Sequence, residues 1–464
     1  MNSNTITPTQ LPLAVQLGLV NPSTITDTAS RILAQRFRVG QFDPLDFQPQ
    51  VELLSLGVSD IGTAESRAIA AEGVIQSLVL VRNDASTLPL VPGIRVALLG
   101  PQGASFDALK GDCYCNGFCT EGSDCFPSLQ TAIENANVGG KTVTFSGVSM
   151  KSNDTSWSEA IASVANSDVV ILALGTDTSV AAEGTDRSDG IGLPGLQGQF
   201  GVAVLQAAKS ANVPVVLLLL HKFPVSFDEL VLSGNSTYKP VDAIVDAWAP
   251  MTYANEVAGA LFGKYNRWGR ATMTVYPKAY ADQISIFEYS MTKYPGRSYK
   301  YYDTSSIGVP LISFGTGLSF SIFNSTCSCG YKIGDPSISI TCSVKNTAGP
   351  DGDEVLMVYH RPSSDIISRV NNAHPLPLKA LVDFQRVSIS AGNIETVQFN
   401  IPIEEALGFI NEDGATALYP GTHYFDICNG NTGNVTLSIV FETLNTSNER
   451  KDEVTITKRP PRRV

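Results

Sequence analysis

Apolar and polar positions change rhythm three times along the 464-residue chain. From Ser23 to Val39, Ile25, Ala29, Ile32, Leu33 and Phe37 recur at helical spacing, and Gly40 follows where a helix would be capped. A second helical stretch runs from Ala64 to Val81 and stops at Arg82-Asn-Asp, ahead of the apolar Leu88-Pro-Leu. Between the two, Gln41 to Gly62 has no period and reads as a linker.

From Arg95 onward, short apolar runs alternate with amphipathic stretches. The pattern predicts strands at Val96–Leu99, Val143–Phe145, Val169–Leu174, Val215–Leu220 and Ala243–Ala247. It predicts helices at Pro127–Asn137, Ser156–Asn166, Gln197–Ala211 and Asn255–Phe262. Strands that are apolar throughout suit a sheet covered on both faces, and strand–helix alternation implies parallel crossovers. The expectation is an α/β sandwich with a mostly parallel sheet, whose ligands gather at the carboxyl ends of the strands. Past Gly334 the period becomes two, in Ile338, Ile340, Cys342 and Val344, in Val397, Phe399 and Ile401, and in Val435, Leu437, Ile439 and Phe441. Such strands predict an immunoglobulin-like or fibronectin type III-like β-sandwich. The closing Lys458-Arg-Pro-Pro-Arg-Arg-Val reads as a basic, solvated tail. The expected divisions are 1–62, 63–290, 291–333, 334–443 and 444–464.

Composition narrows the partners. A net charge of -12 lacks the basic footprint that nucleic-acid binding requires. No apolar run approaches the roughly 18–20 residues of a membrane span. Residues Met1 to Gln10 carry no basic side chain, so no secretory signal opens the chain, yet five Asn-x-Ser/Thr sequons occur, at Asn153, Asn235, Asn324, Asn434 and Asn445. Of eight cysteines, Cys113, Cys115, Cys119 and Cys125 form one group and Cys327 and Cys329 another, with Cys342 and Cys428 apart. Without paired C-x-x-C knuckles, and with four scattered histidines, this spacing favours disulfides that staple a loop over a zinc site.

The loop after Leu174 is long, glycine-rich and charged. Gly190 to Gly195 spells G-x-G-x-x-G, but about 15 residues separate it from the strand and Pro194 interrupts it, so the dinucleotide reading is rejected. What remains is Asp177, Glu183, Asp186, Arg187 and Asp189 at a strand's carboxyl end.

Glu183-Gly-Thr-Asp186-Arg187, followed by Leu193-Pro-Gly-x-Gln197, resembles the E-G-x-D-R…L-P-G-x-Q signature of glycoside hydrolase family 3, in its β-xylosidase-like branch. Arg38-Val-Gly40-x-Phe42-Asp43, Leu80-Val-Arg-Asn83…Leu88-Pro-Leu and Asn266-x-x-Gly269-Arg270 are similar to further segments of that family, in its order. So are Tyr294-Pro-Gly-Arg-Ser-Tyr299, Phe314-Gly-x-Gly-Leu-Ser319 and Val344-x-Asn346…Asp351-Gly-x-Glu354-Val. The cysteine loop from Gly111 to Cys119 resembles an extracellular stretch of the family.

The resemblance implies retaining hydrolysis of terminal β-D-xylosyl residues from xylan oligosaccharides, with two carboxylates about 5–5.5 Å apart. An N-terminal barrel supplies the nucleophilic aspartate and the α/β domain supplies the acid/base. Leu11 to Phe42 looks like only the end of that barrel, so the nucleophile is expected to lie outside this chain. Glu183 is the expected acid/base. Ala181 stands where relatives often carry a further glutamate, so a catalytically inactive remnant that binds carbohydrate or protein is the alternative. Asp186 and Arg187 are expected to orient the loop through an ion pair, with a substrate-binding role open to both. His221 reads as a loop residue, since no motif links an acid to it. No metal or organic cofactor is expected. The implied partners are a β-glycoside such as a xylooligosaccharide and, if the chain acts as it stands, a barrel-containing protein; the implied location is extracellular.

Overall fold

The computed structural model describes residues 3–48, 51–105, 109, 127–151, 157–187, 189–231, 238–250, 253–370, 373–428, 435–442 and 454–456. The cysteine loop, Asn153, Asn235, Asn434 and Asn445 lie outside them. Residues Met1–Arg67 form one compact unit and Ala68–Val464 another.

In the first unit, α1 (Ser3–Gln16) precedes α2 (Pro22–Arg38). The Asn21 side chain caps α2 by accepting from Ser23 N at 3.0 Å, Pro22 opens it, and Arg36 and Arg38 face the negative end of its dipole. The predicted linker contains three short 3-10 turns, Leu45–Phe47, Val51–Ser55 and Val58–Asp60.

One expected element divides in two. The helix from Ala64 stops at Ser77 (α3), and Val79–Asn83 is a strand, β1, rather than the end of the helix. The β-branched Val79 and Val81 favour the extended form, and β1 lies antiparallel on the edge of the sheet. Then follow β2 (Arg95–Leu99), α4 (Leu129–Ala136), β3 (Lys141–Phe145), α5 (Ser158–Val164) and β4 (Val169–Gly175). The domain continues through α6 (Gln197–Ala211), β5 (Val215–Leu220), α7 (Asp228–Val231), β6 (Ala243–Trp248) and α8 (Ala254–Leu261). The sheet order is β1-β6-β5-β4-β2-β3, parallel except at β1.

Alternate residues of each strand enter opposite cores. Ile171, Ala173, Val216, Leu218 and Leu220 pack with α4 and α8, whereas Val170, Leu172, Leu174, Leu217 and Leu219 pack with α5 and α6. Burial on both faces is why these strands read as continuous apolar runs. Each fully buried leucine contributes on the order of 1.5–3 kcal/mol.

The β-sandwich pairs β7 (Ile322–Gly330), β8 (Ser337–Ala348) and β11 (Ile394–Pro402) against a sheet of β9 (Gly352–Pro362), β10 (Ala380–Ile389), β14 (Gly421–Cys428) and β15 (Val435–Phe441). A small third sheet holds β12 (Phe409–Ile410), β13 (Thr416–Leu418) and β16 (Val454–Ile456). Part of the expected flexible tail is therefore a strand, consistent with the alternating β-branched Val454 and Ile456; the rest of it lies outside the described residues. In β8, Ile338, Ile340, Cys342 and Val344 are buried, and Ile401, Phe399 and Val397 of β11 face the first three. Cys327 and Cys342 form a disulfide between the facing strands β7 and β8, bridging the hairpin they make. Asn324 is exposed on β7.

Charged side chains join the two domains of this unit. Arg267 Nε donates to Asp353 Oδ2 at 2.9 Å, and Arg386 of β10 reaches Asp353 at 3.2 Å and the carbonyls of Arg267, Trp268 and Gln76 at 3.1, 3.2 and 3.0 Å. Arg270 pairs with Glu354.

Candidate active site

The site is built on the carboxyl end of β4. Gly175 lies so close to β5 that a Cβ on it would sit 1.8 Å from the Leu220 carbonyl oxygen, at φ +145°, which leaves glycine as the residue that fits. The Gln197 side chain, fully buried at the start of α6, then clamps the loop shut. Its Oε1 accepts from Gly175 N at 2.9 Å and its Nε2 donates to Gly175 O at 3.0 Å, so one amide reproduces a strand pair across the base of the loop. The distal arm is tied down by Ser226, which donates its N–H to Ile191 O at 2.8 Å and accepts from Leu193 N at 3.1 Å.

Glu183 occupies the tip. Ala182 and Thr185 exchange backbone hydrogen bonds of 3.1 and 2.9 Å, closing a tight turn with Glu183 and Gly184 in the middle. Gly184 has φ +77°, the left-handed value that the third position of a type II turn requires. The E-G pair of the signature thus has a local reason: glycine makes the turn that presents the glutamate. Glu183 and Asp186 are exposed.

Arg187 turns inward. Its Nε donates to Asp189 at 2.5 Å and its Nη2 to Gly192 O at 2.5 Å, while Nη1 is buried with no hydrogen-bond partner among the described residues. The expected partnership with Asp186 is replaced by one with Asp189, because the inward turn that satisfies the Gly192 carbonyl places Arg187 beside the later aspartate. The guanidinium holds the Asp189 carboxyl below the usual carboxylate range. At the loop base, Asp177 accepts from Ser179 N at 2.8 Å. Beside it opens a cleft of about 370 Å³ lined by Pro101, Ser146 to Met150 and Asp177.

The sequence pattern does not reveal one pair. His221, at the end of β5, bonds through Nε2 to Asp246 Oδ1 of β6 at 2.8 Å, with 2% and 4% of the side chains exposed. His221 stands in the loop directly after β5, as expected, but it is buried and partnered there. Trp248 lies against the imidazole, centroids 4.7 Å apart, and takes φ +51°, a strained value for a tryptophan. The signal available in the sequence was an aspartate inside the otherwise apolar run Ala243 to Trp248.

Residues 78–320 match the family model of the glycosyl hydrolase family 3 C-terminal domain. The chain belongs to that family. Residues 354–454 match the fibronectin type III-like domain. Among curated relatives, exo-1,4-β-xylosidase bxlB of Emericella nidulans is 29% identical over 91% of this chain and 54% of its own length. β-D-xylosidase 3 of Arabidopsis thaliana is 25% identical over 89% and 54%. The chain spans about half the length of the curated relatives it matches. Of solved structures, the family 3 exo-β-xylosidase XlnD, bound to a xylobiose aziridine probe, superposes with a TM-score of 0.76 at 23% identity, over 96% of this chain and 56% of that one. A β-glucosidase from Listeria innocua bound to isofagomine gives 0.69 at 23%, over 93% and 57%. These likenesses establish the shared fold: a mixed, mainly parallel α/β domain followed by an antiparallel β-sandwich. Among the described residues no helix is long and apolar enough to cross a membrane.

Proposed function

We propose that this chain provides the α/β-domain half of a retaining β-xylosidase active site that releases terminal xylose from xylan oligosaccharides. The observation that carries the reading is the turn that holds Glu183 at the tip of a loop clamped to the sheet by Gln197. In that reading Glu183 protonates the leaving oxygen and then activates water, and the attacking carboxylate comes from a barrel outside the described residues, in the same protein or a partner. Arg187 Nη1, buried and unbonded among the described residues, is a donor suited to a sugar hydroxyl, and Asp186 flanks it. Exposed Asn324 and the four remaining sequons fit a secreted glycoprotein acting in xylan breakdown.

The test is hydrolysis of xylobiose by the purified chain, alone and together with a family 3 barrel domain. Glu183→Gln should lower turnover by roughly 10²–10⁴-fold, the range typical of a general acid. Unchanged turnover in that variant would overturn the assignment. A second reading, a non-catalytic protein that binds the same sugars, is favoured by Ala181, which leaves Glu183 as the single glutamate of the loop. That reading predicts xylobiose binding without turnover under both conditions.

A further inference from the structure

Two clefts of about 500 and 870 Å³ open where the segment between the α/β domain and β7 meets the β-sandwich, and Tyr301, Arg361 and Leu378 line both. They share no lining residue with the loop that carries Glu183 or with the cleft beside Asp177. Each falls within the roughly 300–1,000 Å³ of ordinary small-molecule sites, and their shared wall makes one extended groove, suited to a short chain of rings.

The walls are fixed by contacts that need no ligand. Tyr299 stacks on Phe314, centroids 4.1 Å apart, and its hydroxyl accepts from Leu381 N at 3.0 Å. Leu378 N donates to Lys300 O at 2.7 Å, tying the two sides together. Arg361 is held through Nε by Asp426 at 3.2 Å, with its guanidinium 4.6 Å from the centre of the Tyr424 ring, so Nη1 and Nη2 remain as the donors it can offer. Tyr301 is different. It is half-buried between the two clefts, yet among the described residues its ring has no aromatic contact and its hydroxyl no hydrogen bond.

The groove is lined by charges of both signs, Arg361 and Lys379 together with Asp303 and Glu412. A charged ligand would meet like charge on one side or the other, whereas a neutral polyhydroxyl chain can use donors and acceptors of both signs. A pyranose also presents a flat face of C–H groups that matches an uncovered aromatic ring. We propose that this groove is a second, non-catalytic site for a β-linked xylo-oligosaccharide, with Tyr301 as the stacking platform and Arg361 as hydroxyl donor. The choice of xylose rests on the function proposed above; the groove's affinity for a neutral sugar chain does not.

The experiment is calorimetric titration of the full chain carrying Glu183→Gln with xylohexaose, cellohexaose and a proline-rich decapeptide, the last because Pro375 and Pro377 also line the groove. Xylohexaose should bind. Tyr301→Ala and Arg361→Ala, added separately, should each weaken it by about tenfold or more, as for an anchoring contact, and Tyr301→Phe should retain it. In the chain with Tyr301 intact, bound xylohexaose should protect Tyr301 from nitration, which mass spectrometry reads without any groove substitution. Xylohexaose binding that neither alanine changes, nitration that the sugar does not slow, or capture of the peptide with no binding of either hexaose would overturn the site. Binding of cellohexaose alone would overturn the sugar class. Because the catalytic-loop substitution is present throughout, failure at this groove and failure of Glu183 as proton donor are read separately.

Discussion

Arg270 and Glu354 form an ion pair that is buried on both sides, with 4% and 3% of their side chains exposed, where the α/β sheet meets the β-sandwich. Burial raises the Glu354 carboxyl above its ordinary range, with Arg270 opposing the rise. The arrangement therefore costs desolvation that only the intact pair offsets. Removing one member leaves the other charged and dry. Glu354→Ala should destabilise the chain by about 3–5 kcal/mol, and the double variant Arg270→Met, Glu354→Leu should recover most of that loss. Urea denaturation of the three proteins checks it; equal losses for the single and double variants would show that the pair is not the source.

Three of the four histidines lie in the β-sandwich. His360 Nε2 meets His423 Nδ1 at 2.9 Å, and His423 Nε2 meets Tyr419 O at 2.9 Å. Burial pushes His360 down to about 3, with His423 adding to the effect, and burial lowers His423 as well, partly offset by the Tyr419 carbonyl and Asp365. Both are neutral in the folded state while the unfolded chain takes up protons near pH 6.5. Stability from these groups is complete above that pH; the His360 share falls as the pH drops towards 3, by up to about 1.4 kcal/mol per pH unit, and His423 adds a loss of the same sign. Unfolding free energies between pH 7 and 4 should show this slope, and His360→Gln should flatten it.

Asp246 holds His221 through Nε2, and His221 Nδ1 is already buried with no partner among the described residues. Asp246→Ala should cost about 1–3 kcal/mol, the penalty of stranding a further polar atom. The double variant His221→Leu, Asp246→Leu should lose less. Chemical denaturation at neutral pH separates the two outcomes.

Arg187 grips its loop at two points, Asp189 and the Gly192 carbonyl. Since the Asp189 side chain is more than half exposed, the ion pair itself adds at most about 1 kcal/mol. Arg187→Lys keeps the charge but cannot span both acceptors. The expected result is an unchanged melting temperature with faster proteolytic cleavage between Ala182 and Gly192.

The sheet was legible because its strands are buried on both faces, so Val169 to Leu174 and Val215 to Leu220 advertise themselves without a period. β1 was hidden because Val79 to Val81 continues the apolar rhythm of α3, and only its place beside β6 separates the two. In the loop after β4, the motif singled out Glu183 and Arg187. It could not show that Arg187 would choose Asp189 over Asp186, a choice set by where the backbone brings the Gly192 carbonyl. His221 and Asp246 stand 25 positions apart, and their pairing follows from the adjacency of β5 and β6 in the sheet, a relation that no local spacing carries.

The close approach of Gly175 to the Leu220 carbonyl bears on how such a protein can change. A side chain at that position would force β4 from β5, so this part of the rim is closed to mutational drift. Change in what this end of the sheet presents must then arise from the loops beyond the strands, where residues can be exchanged or inserted while the platform beneath them stays constant.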